Sequence, residues 1–184
     1  IVLFLFLSLL ISNSWQNINS EVPTPMNIEL INSDINKTTL KFTMDGFHLF
    51  KSNETSFDSY SIKTENGASI LKQGFPDVHN FSTSIIVPDQ SKMSVDIISY
   101  KYHDYENLNI IPSKGNFTRD INPADVPLVY AKFYEENKFF PSNISELGDP
   151  YIVRDLRGQP LSFNPFQYNP VTKTLRVYSE IIIE

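Results

Sequence analysis

From Leu40 to Met44 apolar Leu40, Phe42 and Met44 alternate with Lys41 and Thr43. The same period of two returns in Met93, Val95 and Ile97 against Ser94, Asp96 and Ile98, with Tyr100 and Tyr102 continuing that phase. It returns again in Val129, Ala131 and Phe133, and in Leu175, Val177 and Ser179. Successive side chains of a strand point to opposite faces, so these segments predict half-buried β-strands. Prolines at 76, 88, 112, 123, 127, 141, 150, 160, 165 and 170 divide the chain at short intervals. No window of twelve residues carries a helical apolar stripe. Many short strands between frequent turns predict an all-β fold, a single-domain β-sandwich or jelly-roll-like barrel.

Two end segments depart from this pattern. Ile1 to Ile11 is almost unbroken Ile, Val, Leu and Phe. At roughly 11 residues it is too short for a bilayer span, which needs about 20, and has the length of a signal-peptide apolar region. Residues 1–14 therefore read as a partial signal peptide, lacking an initiator Met and a basic start. Residues 15–25 read as a polar linker, with Pro23 and Pro25 opposing regular structure. The domain then occupies 26–184. At its far end Asn169 to Lys173 predicts a turn, with φ pre-set by Pro170 and Asn169 bonding the backbone ahead of it. The strand from Thr174 to Glu184 carries Ile181, Ile182 and Ile183, a run expected of a central strand covered on both faces. A chain stopping on such a strand reads as truncated, with a further domain expected beyond it.

Composition narrows the chemistry. The 184 residues include no cysteine, which excludes disulfides, thiolate nucleophiles and cysteine metal sites. Their absence from an exported chain favours a bacterial envelope protein stabilised by its core. A net charge of −6 with interspersed signs offers no basic face for nucleic acid. Sequons begin at Asn36, Asn53, Asn80, Asn116 and Asn143 and read as exposed polar loops. His48, His79 and His103 lack a second histidine at metal-ligand spacing, so no metal or cofactor is expected. Asp104 and Glu106 flank Tyr105 and read as a solvated loop edge rather than a catalytic pair. Serine-nucleophile and phosphate-cradling signatures are absent, and the chain reads as non-enzymatic.

Two segments have more content. In Arg154-Asp155-Leu156-Arg157-Gly158, Asp155 can accept from backbone N–H groups, and an arginine fork can satisfy several carbonyls at once. The reading is a hydrogen-bonded structural corner made by Arg154, Asp155 and Arg157. Pro112 to Asp120, closed by Pro123, reads as an exposed loop presenting Lys114 and Arg119. Such a loop is a good protease substrate and can occupy a specificity pocket.

Ile111 to Pro141 and Asp149 to Ile181 closely resemble the propeptide of gingipain-type cysteine peptidases. The elements that carry the resemblance are PSKG (Pro112–Gly115), VPLVY (Val126–Tyr130), FFP (Phe139–Pro141), RDLRGQ (Arg154–Gln159) and YNPVTKTLRVY (Tyr168–Tyr178). Leu40 to Leu49 and Ile85 to Asp89 match more loosely. The resemblance implies a β-sandwich prodomain ahead of a caspase-like cysteine peptidase, assisting its folding and inhibiting it until proteolysis outside the cell. It implies a cognate catalytic domain as partner, in cis and then in trans. Arg119 falls where the family has an exposed basic residue, which makes it the candidate inhibitory or processing residue, with Lys114 second. The rival readings are a secreted carbohydrate-binding module, which needs an exposed aromatic platform, and a stand-alone hydrolase.

Overall fold

The computed structural model describes residues 14–184. But for Ser14, the segment expected to be a signal peptide lies outside the described residues. The strands run in the order β1 (Trp15–Asn17), β2 (Asn27–Ser33), β3 (Thr38–Thr43), β4 (Gly46–Lys51), β5 (Tyr60–Lys63), β6 (Ala68–Ser69), β7 (His79–Ile86) and β8 (Ile97–Tyr105), then β9 (Ser145–Leu147), β10 (Tyr151–Val153), β11 (Leu156–Phe163), β12 (Phe166–Asn169) and β13 (Thr174–Ile183). Two 3₁₀ turns, Pro123–Asp125 and Lys132–Glu135, are the only helical elements among the described residues.

β13 organises one sheet. β8 pairs with it along one side, while β12 and then β3 occupy the other, with Val177 opposite Phe166 and Ile181 opposite Phe42; β2 continues beyond β3. Having neighbours on both sides, β13 buries Leu175, Val177, Ile181 and Ile183 and half-buries Ile182, as the isoleucine run predicts. The turn before it is built as its residues predict: Asn169 Oδ1 accepts from the N–H groups of Val171 (3.1 Å) and Thr172 (3.3 Å).

A second sheet, β10-β11-β7-β6 with β9 also on β11, faces the first. Their apolar faces meet where Phe42 of β3 stacks on Phe163 of β11 at 5.4 Å, with Phe81 of β7 beside them at 6.1 Å. Offset ring pairs at this spacing add to plain area burial. A small sheet, β1-β4-β5, closes one end and inserts Phe47 edge-on against Phe166 (5.3 Å) and Tyr105 (5.4 Å). One contiguous apolar cluster joins all three sheets. The architecture is the all-β sandwich expected from the period-two pattern.

Three local expectations differ. The segment read as a linker contains β1, whose buried Trp15 donates Nε1–H to the Ser20 carbonyl at 2.8 Å. A single tryptophan with a partner for its N–H outweighs the polar residues around it. β8 starts only at Ile97, and Tyr100 and Tyr102 do not keep the phase of Val95. Val95 packs on the core, whereas the two tyrosines, about half exposed, lie against Tyr178 at 5.5 and 5.9 Å. Counted along the chain, both tyrosines stand an odd number of positions from Val95, and β8 is an edge strand whose register with β13 shifts once at Ile98 and once opposite Ser179. Finally, Val129, Ala131 and Phe133 form no strand. The Ala131 N–H goes to the Gly74 carbonyl (3.0 Å), a 3₁₀ turn follows, and Phe133 stacks on Phe75 at 5.1 Å. Aromatic anchoring replaces the ladder there.

Candidate functional site

The segment from Pro112 to Ala131 forms a loop with both stems fixed on one residue. Gly74 donates its N–H to the Ser113 carbonyl (2.9 Å) and accepts from the N–H of Ala131 (3.0 Å). Gly74 has φ +79°, and a Cβ there would sit 3.1 Å from Ala131. Only glycine serves both demands, the left-handed backbone and the close approach. The entering stem is further tied by the hydroxyls of Tyr134, to the Ile110 carbonyl, and Tyr168, to the Leu108 carbonyl, each at 2.9 Å. Burial pushes the Tyr134 hydroxyl well above the usual tyrosine range, so it stays a donor. The leaving stem begins at Asn122, whose Oδ1 caps the turn Pro123–Asp125 through the Ala124 N–H (3.2 Å).

Arg119 stands at the tip. The Ile121 N–H returns to the Thr118 carbonyl (3.1 Å), which places Arg119 and Asp120 at the corner of a tight turn. A hydrogen bond from Thr118, then the backbone, holds the Asp120 carboxyl below the usual carboxylate range. Arg119 is exposed and makes no hydrogen bond or ion pair among the described residues. Lys114 lies at the loop's base and is differently placed. Its side chain is only 15% exposed, and Nζ contacts Glu54 Oε2 at 2.6 Å and the Pro123 carbonyl at 2.9 Å. Exposed Phe57, Leu71, Ile121, Val129 and Tyr130 lie around this end of the molecule.

Arg154, Asp155 and Arg157 lie elsewhere, at the other end of β7. Arg154 (φ +57°) and Asp155 form the two-residue turn between β10 and β11. Arg157 Nη1 reaches the carbonyls of Pro88 (2.9 Å), Asp89 (3.0 Å) and Ser91 (2.8 Å), fastening the segment after β7. Asp104 is held by Arg176 through two parallel bonds of 2.8 Å. Sequence reasoning passed over Glu54 and Gly74. The motif of a conformationally special glycine is present in Gly74-Phe75-Pro76, whereas Glu54 meets Lys114 only through the fold.

A buried polar chain lies beneath the loop. Ser69 Oγ is 3.0 Å from His79 Nε2, and Thr64 Oγ1 is 2.9 Å from His79 Nδ1. Asp77 bonds the same Ser69. Serine catalysis requires the carboxylate on the far imidazole nitrogen, and here it sits on the serine. Burial, then nearby Lys63, lowers the His79 pKa to about 4, while burial raises that of Asp77. Unfolded histidine titrates near pH 6.5, so the unfolded chain binds more protons between pH 6.5 and 4. His79 therefore removes stability as pH falls through that window, about 3 kcal/mol once fully traversed. Asp77 acts oppositely, since its protonation on acidification relieves a buried charge. Urea unfolding at pH 7 and 4.5 should show a larger loss for the parent chain than for His79→Gln, which keeps a hydrogen-bonding side chain without the titration. Equal losses would exclude His79 as the source. Among the described residues no group of three His, Asp or Glu is placed to hold a metal ion, and no helix is long and apolar enough to cross a membrane.

The described residues thus form an all-β domain that presents an exposed arginine on a doubly anchored loop. The sequence profile of the Propeptide_C25 family matches residues 19–184, and the chain belongs to that family, the propeptides of gingipain-type precursors. It is 40% identical over 159 residues to Gingipain R1 of Porphyromonas gingivalis, a match covering 85% of this chain and 16% of that protein. The chain thus spans about a sixth of the length of that relative. The solved complex of the pro- and mature domains of RgpB from P. gingivalis superposes with a TM-score of 0.81 at 36% identity, covering 85% of this chain and 82% of that one. A structure addressing the zymogenic latency of gingipain K from P. gingivalis shares the fold, with a TM-score of 0.71 at 23% identity over 92% of this chain and 97% of that one. The chain is a prodomain of this family, and not the catalytic part of such a precursor.

Proposed function

We propose that the loop Pro112 to Pro123 carries Arg119 into the active-site cleft of the cysteine endopeptidase domain of the same precursor and holds that domain latent. The observation that carries this reading is Arg119 itself, exposed and unpaired at the apex of a turn whose stems are fixed. Rigid presentation lowers the ordering cost of binding. The reading includes export of the precursor from the cell, with proteolysis ending the inhibition.

Tethering makes such inhibition easy to achieve and to end. An attached segment meets its target at about millimolar effective concentration. A micromolar intrinsic affinity, about −8 kcal/mol, then leaves roughly one enzyme molecule in a thousand uncovered. Cleavage removes the advantage by dilution, so release needs no conformational switch. After cleavage the partner remains the same catalytic domain, now in trans.

The test is titration of residues 15–184 into the precursor's catalytic domain, followed with a small fluorogenic peptide. Saturable loss of activity at nanomolar to micromolar concentration is expected. Full activity at every concentration, with the chain folded and intact, would overturn the reading.

A further inference from the structure

An exposed arginine on a surface loop is a protease substrate unless the loop is held closed on both sides of the scissile bond. In this chain Lys114 supplies the closure. Its Nζ bridges the Pro123 carbonyl (2.9 Å), nine residues on, and Glu54 Oε2 (2.6 Å), which lies on the separate segment between β4 and β5. Arg119 falls near the middle of the span. The bridge is partly desolvated: the lysine stem lines a depression with Leu71, Phe117, Pro123 and Leu128. A charge-assisted contact shielded in this way is stronger than an open surface pair. Backbone geometry sets the direction of the lysine. Ser113 Oγ accepts from the Gly115 N–H (3.2 Å), and Gly115 at φ +87° turns against Gln73, where a Cβ would come within 2.9 Å of the glutamine's own.

We propose that Lys114 is a positioning residue: its clasp with Glu54 and Pro123 decides whether the Arg119 loop acts as an inhibitor or is consumed as a substrate. With the clasp closed, the two halves of a loop cut after Arg119 stay in register, so the new α-amine of Asp120 remains beside the acyl-enzyme and re-forms the bond. With it open, residues 120–123 swing away, water takes the acyl group, and the cut becomes permanent. The inference rests on the loop entering the cleft, as proposed above, and it removes Lys114 from the residues offered to that cleft.

Trypsin provides a test that is independent of the cognate enzyme. The chain and its Lys114→Met, Glu54→Gln and Lys114→Arg variants are digested, and the Arg119–Asp120 cut is followed by mass spectrometry. Lys114→Met and Glu54→Gln should be cut there about tenfold faster, the weight of one shielded charge-assisted bond, with sites other than the Lys114–Gly115 bond unchanged. Lys114→Arg, which still reaches both acceptors, should stay within about threefold of the parent. Against the cognate catalytic domain, Lys114→Met should inhibit at first and then lose its inhibition as the chain is clipped. Equal cutting rates for all four chains would overturn the proposal. Should Lys114→Met unfold, Glu54→Gln, which changes one exposed group, gives the same reading. Accelerated tryptic cutting without inhibition by the parent chain would instead reject the cleft reading and, with it, the inhibitor role of the clasp.

Discussion

Replacing Arg119 by alanine should weaken inhibition of the cognate catalytic domain by about 100- to 1,000-fold, with no change in melting temperature. An arginine anchored in a pocket is a typical interface hot spot, and its truncation costs about 3–4 kcal/mol. Each 1.4 kcal/mol is a factor of ten in the constant. Stability should not move, because Arg119 is exposed and has no partner to lose among the described residues; such substitutions stay within about 0.5 kcal/mol. The tethered precursor should show a smaller effect than the free prodomain. If a micromolar constant rises to about 100 μM against a millimolar effective concentration, roughly a tenth of the enzyme is uncovered. Arg119→Ala should therefore be a poor inhibitor in trans yet produce a precursor that is still mostly latent. An Arg119→Ala chain that inhibits and is processed like the parent would remove Arg119 from the cleft.

The parts of the structure that were legible in the sequence are those fixed by local alternation. Leu40 and Phe42 and then Leu175, Val177 and the isoleucines lie in strands with neighbours on both sides, where every second residue must be apolar. β8 shows where this fails. Tyr100 and Tyr102, an odd number of positions from Val95, lie against Tyr178 instead of the core, and the register shifts against β13 leave no mark in composition. Around Val129 the alternation is real but its cause is not a ladder: Phe133 joins Phe75 and Phe140, and the backbone binds Gly74. The loop itself was legible from Pro112, Gly115 and Pro123, and Arg119 from its position within it. The difference between Arg119 and Lys114 was not. Both are basic residues in one loop, and what separates them is Glu54, brought alongside by the packing of the segment between β4 and β5.

Phe163→Ala should produce the largest loss of stability. Phe163 is fully buried at the end of β11, stacked on Phe42, at the seam where the two large sheets meet. Truncation removes the transfer free energy of the ring and leaves a cavity that flanking strands cannot close, at a cost of about 3–5 kcal/mol. Domains of this size have roughly 5–15 kcal/mol in all. The melting temperature should fall by roughly 6–20 °C, read by circular dichroism. A loss below about 1 kcal/mol in urea unfolding would mean that the sheets do not share this core. The consequence for function separates two roles that a prodomain combines. Binding stabilises a folded state by about 2.7 kcal/mol at a hundredfold excess over the dissociation constant. Added catalytic domain should therefore restore much of the lost stability in Phe163→Ala, and its saturating inhibition should survive, since Arg119 and its stems are untouched. Assistance in folding has no such rescue, because the nascent catalytic domain offers no finished surface to bind. Refolding of the denatured catalytic domain should thus be impaired by Phe163→Ala and spared by Arg119→Ala, while equilibrium inhibition shows the reverse. Matching losses in both assays for both variants would mean that folding assistance and inhibition are one interaction, made by the same contacts.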